Sequence, residues 1–288
     1  MSKDVPPSIN EKAFLLSALI SRQRLDSRSP HDIRTTRILL GPQPGHAEVR
    51  LGKTRVTANV SCEIVRPRAN APTEGALLFT TDFSPMASPA FGDGPGGGGG
   101  SGGDEILIAR VLERALRGSR AVDTEGLCIV AGEKVWQIKV DVRVIDHEGN
   151  IVDCACIAAV AALMHFKRPD VTVLGEDVTI HSTSERNPIP LTLHHVPICV
   201  TFAFFNQGML QVVDPNLLEE QCAEGDMTFV VNRHGDVCTL SKAGGVAVEA
   251  GQVIHCARIA AAKAEEVTDM IKAALEKAAV KEPKVAIV

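Results

Sequence analysis

Aromatic residues are scarce in this chain of 288 residues, with nine Phe, one Trp and no Tyr. A core must then be filled by Val, Ile, Leu and Ala. Few rings are left to stack nucleobases, which argues against a module that reads nucleic-acid sequence. No apolar run approaches the roughly 18 residues of a membrane span, and Met1 to Pro7 is too polar for a signal peptide. The expectation is a protein of nucleus and cytoplasm with no membrane contact. There is no C-x-x-C pair either. The eight cysteines (62, 128, 154, 156, 199, 222, 238 and 256) sit mostly inside apolar stretches, and His194-His195 and the other histidines lack ligand spacing. Reduced structural thiols are expected, with no metal and no cofactor. Gly52-Lys53-Thr54 imitates the end of a phosphate loop, but Ala47 stands where that loop requires its first glycine.

The charge that is present is unevenly spread. The formal net charge is −5, yet Arg22 to Arg68 holds ten Lys/Arg against four Asp/Glu, so a locally basic face on an acidic protein is expected. Ser8-Ile9-Asn10-Glu11 reads as a capping box that opens a helix ending near Arg24, with Phe14, Leu15, Ala18 and Leu19 on one face. Ala47 to Leu51 and Thr54 to Val65 read as strands of a hairpin turning at Gly52-Lys53, followed by a strand at Ala76 to Thr81. The low-complexity run Gly92 to Gly103 reads as a flexible surface loop. A helix over Glu105 to Gly118 follows.

Ala131 to Leu163 carries the most information. Ile138, Val140, Val142 and Val144 alternate with Lys139, Asp141 and Arg143, as in a strand with one buried face. His147 to Asn150 turns the chain, and Asp153 stands where a carboxylate can cap a small-residue helix. In the second half, strands are expected at Val196 to Phe205, Met209 to Val213, Met227 to Asn232 and Asp236 to Ser241. A long helix over about Gly251 to Ala279 follows, with Val267, Met270, Ile271, Ala274 and Leu275 on one face. Both halves repeat strands, a tight turn and a covering helix, so the class is α+β with an internal duplication. The division is an N-terminal helix arm over 1–27, a first subdomain over 28–185 containing the loop 92–103, and a second subdomain over 186–288.

The segment from Ala131 to Leu163 resembles the RNase PH family of phosphate-dependent 3′-to-5′ exoribonucleases and their ring-forming exosome relatives. Arg24-Leu25-Asp26-Ser27-Arg28 is similar to the family's Arg-x-Asp-Gly-Arg. Leu51 to Val56, Thr73-Glu74-Gly75, Asp123-Thr124-Glu125, Val130 to Trp136, Arg168 to Val171 and His194 to Val200 resemble an inactive branch of its eukaryotic exosome ring subunits. The resemblance covers about Glu11 to Ala279 and implies the duplicated β-α form of a ribosomal-protein S5 domain 2-like fold. In active members an arginine at the helix start holds the attacking phosphate, and the matching position here is Asp153. Two like charges about 4 Å apart at an effective dielectric of 20 repel by roughly 4 kcal/mol. An ordinary N-cap at Asp153, worth about 1 kcal/mol, excludes phosphate equally well.

Three clusters are candidate sites. Arg110, Arg114 and Arg117, at i, i+4 and i+7, lie within about 60° on a helix. They form a cationic stripe suited to RNA phosphates, or a solvated face countered by Glu113, with Leu107, Val111 and Ala115 turned inward. Arg66 and Arg68 flank Pro67 in a loop and are a second RNA-backbone candidate, or merely solvated. The resemblance matches Arg110, Arg114 and Arg117 to positions that help hold RNA in the pore of the archaeal inactive ring subunit. It also matches Asp214 and Glu220 to the family's catalytic acidic pair, here read as vestigial or as a solvated acidic turn. What the resemblance implies is a non-catalytic ring subunit of nucleus, nucleolus and cytoplasm. Its partners would be RNA, paralogous RNase PH-like subunits, S1/KH-domain caps and a hydrolytic 3′-to-5′ exoribonuclease, in ribosomal RNA processing and RNA decay. The alternatives are an active phosphorolytic exoribonuclease using Asp214 and Glu220, and a free-standing RNA-binding protein.

Overall fold

The computed structural model describes residues 6–91, 101–174, 177–182 and 185–281. Helix α1 (Ile9–Ile20) opens on the expected capping box, with Glu11 N–H donating to Ser8 Oγ at 3.2 Å and Ser8 N–H donating to the Glu11 carboxylate at 2.7 Å. It ends four residues before Arg24. Gln23 N–H bonds Ala18 C=O and Arg22 N–H bonds Leu19 C=O, while Arg22 takes the left-handed φ of 57°. This is a Schellman ending built on a residue other than the usual glycine, so no glycine marks it along the chain. Leu15 and Leu19 are buried, whereas Phe14 faces solvent.

The first sheet orders its strands β1-β2-β3-β6-β4, with β5 (Cys128–Val130) beside β6. β1 spans Thr36–Leu40, β2 His46–Leu51, β3 Thr54–Val65, β4 Ala76–Phe83 and β6 Lys134–Asp146. The hairpin at Gly52-Lys53 forms as expected, with Leu51 facing Thr54 and Gly52 in the left-handed region. Ile138, Val140, Val142 and Val144 are fully buried and pair with β3, so the alternation of β6 was read correctly. β4 runs parallel to β6, the one parallel pairing of the described strands, and needs a crossover through α2 (Ser101–Glu113). The expected loop over 92–103 is thereby shortened: Gly92 to Gly100 lie outside the described residues, and Ser101 to Gly103 already belong to α2.

Helix α3 (Ile151–His165) follows β6. It was expected to cover the first half; instead it packs against β2 and β3 on one side and β11 on the other. That position explains its composition. Ala155, Ala158, Ala159, Ala161 and Ala162 are all buried, as required of a helix that is apolar all round and closely approached from two sides. Short pairs β7 (Lys167–Arg168) with β10 (Ile189–Pro190) and β8 (Val171–Leu174) with β9 (Asp177–Ile180) connect to the second sheet. Its order is β12-β11-β13-β14, antiparallel throughout, from β11 (Ile198–Phe205), β12 (Leu210–Val213), β13 (Gly225–Val231) and β14 (Val237–Ser241). Every residue of β11 is buried, because α3 and α5 cover one face and α1 the other. The segment read as an acidic turn holds helix α4 (Leu217–Cys222). Helix α5 (Ala250–Lys281) buries Val267 and Ile271 and leaves Met270 partly exposed.

Candidate functional site

The turn between β6 and α3 is the hub of the first candidate site. Asn150, left-handed at φ 52°, is the N-cap of α3, its Oδ1 accepting the Asp153 N–H at 3.4 Å. Asp153 is therefore not the cap. As the third residue of the helix it turns its carboxylate towards β11, where it accepts Thr201 N–H at 2.9 Å, Thr201 Oγ1–H at 2.7 Å and Asn150 Nδ2–H at 2.8 Å. Burial pushes its carboxyl up to about 7, overcoming those three donors and aided by the charge of Asp214. Its charge is thus less secure than that of a free carboxylate, which weakens the expected repulsion of phosphate. Asp153 occupies the space at the helix start and uses the donors of Thr201 and Asn150.

Asn150 Nδ2 also donates to Asp214 Oδ1 at 2.7 Å, so one amide serves two buried carboxyls. Asp214, left-handed at φ 51° and fully buried, is gripped by Arg34 through its N–H (2.8 Å), Nε (2.9 Å) and Nη2 (2.8 Å), and by Arg28 Nη1 at 3.0 Å. Burial alone would raise this carboxyl. The Arg34 guanidinium overrides it, with Asn150 assisting, and holds it below the usual carboxylate range. Arg24 completes the clamp, donating to the carbonyls of Val213 (2.8 Å) and Asp214 (2.9 Å) and pairing with buried Glu219. Glu219 in turn closes a capping box with Asn216 at the start of α4.

Glu220 accepts the Asn150 N–H at 2.7 Å. Desolvation by the surrounding chain pushes its carboxyl up to about 7, with Asp214 and Asp153 adding to the shift and Asn150 N–H and Arg34 opposing it. Glu220 is open to solvent, which screens the effect of burial there as it does not at Asp153. Glu220 faces a cleft of about 440 Å³ with Glu224, Asp226, Thr201 and Thr228, and no Lys or Arg lines it. The acidic pair is therefore divided. Asp214 is an ionised structural anchor, and Glu220 stands in a cleft with two further carboxylates, Glu224 and Asp226. No three His, Cys, Asp or Glu among the described residues are placed to hold a metal.

The basic candidates also rearrange. The α-helical bonding of α2 stops at Glu113, and Arg114–Gly118 forms a wider π turn, so Arg117 departs from the straight stripe expected with Arg110 and Arg114. All three are exposed, and Arg117 pairs with Glu113 at 2.8 Å. The inward residues are Ile108, Leu112, Ala115 and Leu116; Leu107, expected to face inward, is exposed and Val111 only partly buried. The structure joins Arg117 to the other loop. Arg66, Arg68 and Arg117 line one cleft of about 180 Å³, beside Gln137 and Leu78 of the open face of the first sheet. The Arg66-Pro67-Arg68 loop is held by a bridge between Arg68 and Ala71. Arg110 and Arg114 stand outside it.

The clamp of Arg24, Arg28 and Arg34 was not read as a site. The Arg24 to Arg28 motif signalled two of its members, but nothing local to Arg34 did. Asn216-x-x-Glu219 is a legible capping box that the eye for acidic pairs passed over.

Comparison with known proteins bears on the family and the fold. Residues 31–169 match the model of the 3′ exoribonuclease family, domain 1, and residues 195–263 its domain 2. The fission yeast exosome complex component rrp45 is 43% identical over 276 residues, covering 96% of this chain and 93% of that protein. The human exosome complex component RRP45 is 47% identical over 274 residues, covering 95% of this chain, and the chain spans only 61% of the human protein's length. A chain of the Archaeoglobus fulgidus exosome with RNA bound to the active site superposes with a TM-score of 0.77 at 26% identity, covering 90% of this chain and 97% of that one. Two matched family domains and an α+β fold shared with exosome core chains establish that this chain belongs to the 3′ exoribonuclease family of the RNase PH type.

Proposed function

We propose that the protein is a non-catalytic subunit of an RNA exosome core ring that guides RNA by its backbone to a hydrolytic nuclease. Its neighbours in the ring would be paralogous RNase PH-like chains, with S1/KH-domain subunits above, in nucleus, nucleolus and cytoplasm. The observation that carries this reading is the distribution of charge between two clefts. The one beside Glu220, where phosphorolysis would need cations, is lined by three carboxylates and no basic residue. The one that gathers Arg66, Arg68 and Arg117 against a single acid, Glu74, is net cationic and lies elsewhere. Asp214, gripped by Arg28 and Arg34, is committed to the fold, which leaves Glu220 as the acid of the pair on which any proton transfer to a leaving group would depend.

Arg66→Glu, Arg68→Glu and Arg117→Glu combined, in a ring reconstituted with its paralogues, are expected to weaken RNA protection about tenfold or more at low salt and to flatten its salt dependence. Assembly is expected to be unchanged, since all three side chains are exposed. Unaltered RNA protection would remove the channel role. Labelled RNA given with inorganic phosphate should yield no nucleoside diphosphate through this subunit. Diphosphate release that disappears on Glu220→Gln would overturn the non-catalytic reading.

A further inference from the structure

A further cavity lies away from both clefts, where the end of α1, the Ser29–His31 segment, β12 and the first turns of α5 meet. Its volume is about 700 Å³, within the range of small-molecule sites. The polar groups on its wall fall into two sets. Gln211 and Gln252 are committed: Gln211 Oε1 accepts from Cys256 Sγ at 3.0 Å, and Gln252 Nε2 donates to Gly208 C=O at 3.0 Å. Arg22, Ser29, His31 and His255 are not. Arg22 is exposed and forms no ion pair among the described residues, and His31 Nδ1 is buried without a hydrogen-bond partner. The two imidazoles stand edge to face with centroids 6.0 Å apart.

No carboxylate lines this cavity. What remains uncommitted is a guanidinium, two imidazoles and a hydroxyl, a set rich in donors that lacks an anionic acceptor. Apolar lining comes from Leu19, Met209 and Val212, and Met209 is an adaptable side chain suited to a flat ring. We propose that this cavity binds a small anion with an apolar or aromatic body, its phosphate or carboxylate head held by Arg22, His31 and His255 and its body against Leu19 and Met209. The proposal is independent of the RNA cleft.

Proton uptake accompanies such binding. Burial, then the neighbouring His255, holds His31 below the ordinary imidazole range; Lys263 acts in the same direction and Asp32 against it. An added anion favours the protonated ring, so affinity rises as pH falls through the histidine range.

The test is calorimetric titration of the full chain with phenyl phosphate, phenylacetate, inorganic phosphate and benzyl alcohol. One of the two aromatic anions is expected to saturate, several-fold more tightly at about pH 6 than at about pH 8, and the better of them identifies the head group. Inorganic phosphate and benzyl alcohol, each carrying half of the chemistry, are expected to bind at least tenfold more weakly. Arg22→Gln and His255→Gln, both at exposed positions, are each expected to weaken the anion about tenfold with an unchanged unfolding midpoint. RNA protection by a ring carrying Arg22→Gln should stay at the wild-type level. Absence of saturation by either aromatic anion, indifference to pH or to both substitutions, or loss of binding once the chain is in the assembled ring would each overturn the proposal.

Discussion

Two buried carboxyls 61 positions apart in sequence share the amide of Asn150 and are tuned in opposite directions. Asp214 is held low by Arg34, so its contribution to stability is full above the ordinary carboxylate range near 4 and is lost as pH falls through its lower folded value. Asp153 is raised to about 7, so the folded state binds a proton that the unfolded state has released, and stability declines as pH rises from about 4 to about 7. Asp153→Asn preserves the hydrogen-bond geometry of the protonated acid towards Thr201 and Asn150. It should gain on the wild type between about pH 5 and pH 8 when unfolding is followed by denaturant titration, and a pH-independent difference would contradict the assignment. Asp214→Asn removes the charge and leaves Arg34 without a carboxylate partner in a mostly buried position, while Arg28 keeps its ion pair with Asp26 at 2.6 Å. A loss of about 3–5 kcal/mol is expected by the same measurement, and a near-neutral result would show that the clamp is dispensable. The sequence named both acids but not their partners: Asp153 is not the cap expected there, and the arginines that hold Asp214 lie far from it in sequence. Whether a carboxylate is a cap, a catalyst or an anchor depends on partners as far away as Arg34, 180 positions before Asp214.

At the scale of elements, strands were more legible than helix ends. β3 matched its expected bounds and β6 its buried face, because alternation is a local consequence of having one covered side. β1 was missed, and so was the parallel pairing of β4 with β6, which the intervening crossover conceals. α4 escaped notice because six residues do not establish a period. The close seat of that helix makes Gly149 decisive: at φ +88°, an added Cβ would lie 2.5 Å from the Asn216 carbonyl carbon and the Leu217 nitrogen. Gly149→Ala is expected to cost about 1 kcal/mol for the backbone alone and more for the displaced α4. Thermal unfolding would register it, and an unaltered midpoint would mean that the turn and α4 yield without strain. The π turn at Arg114–Gly118 shows the converse limit. A stripe computed for 3.6 residues per turn fails where the hydrogen-bond pattern changes, and that failure carried Arg117 into the cleft of Arg66 and Arg68.

For the molecule as a whole, the central position of α3 unites two sheets in one apolar core. Ala159→Leu, at a site with no exposed surface on a helix pressed from both sides, is expected to destabilise by about 1–3 kcal/mol or more, as measured by denaturant unfolding. A cost near zero would imply slack between the sheets. The amino-acid sequence by itself determined the α+β class, an aliphatic core, the β6–turn–α3 unit and the family motifs, all of which follow from periodicity, composition and short-range spacing. Only the tertiary structure decided that Asn150 caps α3, that Asp214 is locked by arginines while Glu220 lines an acidic cleft, and that Arg66 and Arg68 meet Arg117. The physical reason is distance along the chain. Hydrogen bonds and ion pairs fix the state of a charged group, and here they join residues tens to nearly two hundred positions apart, where no local pattern records them.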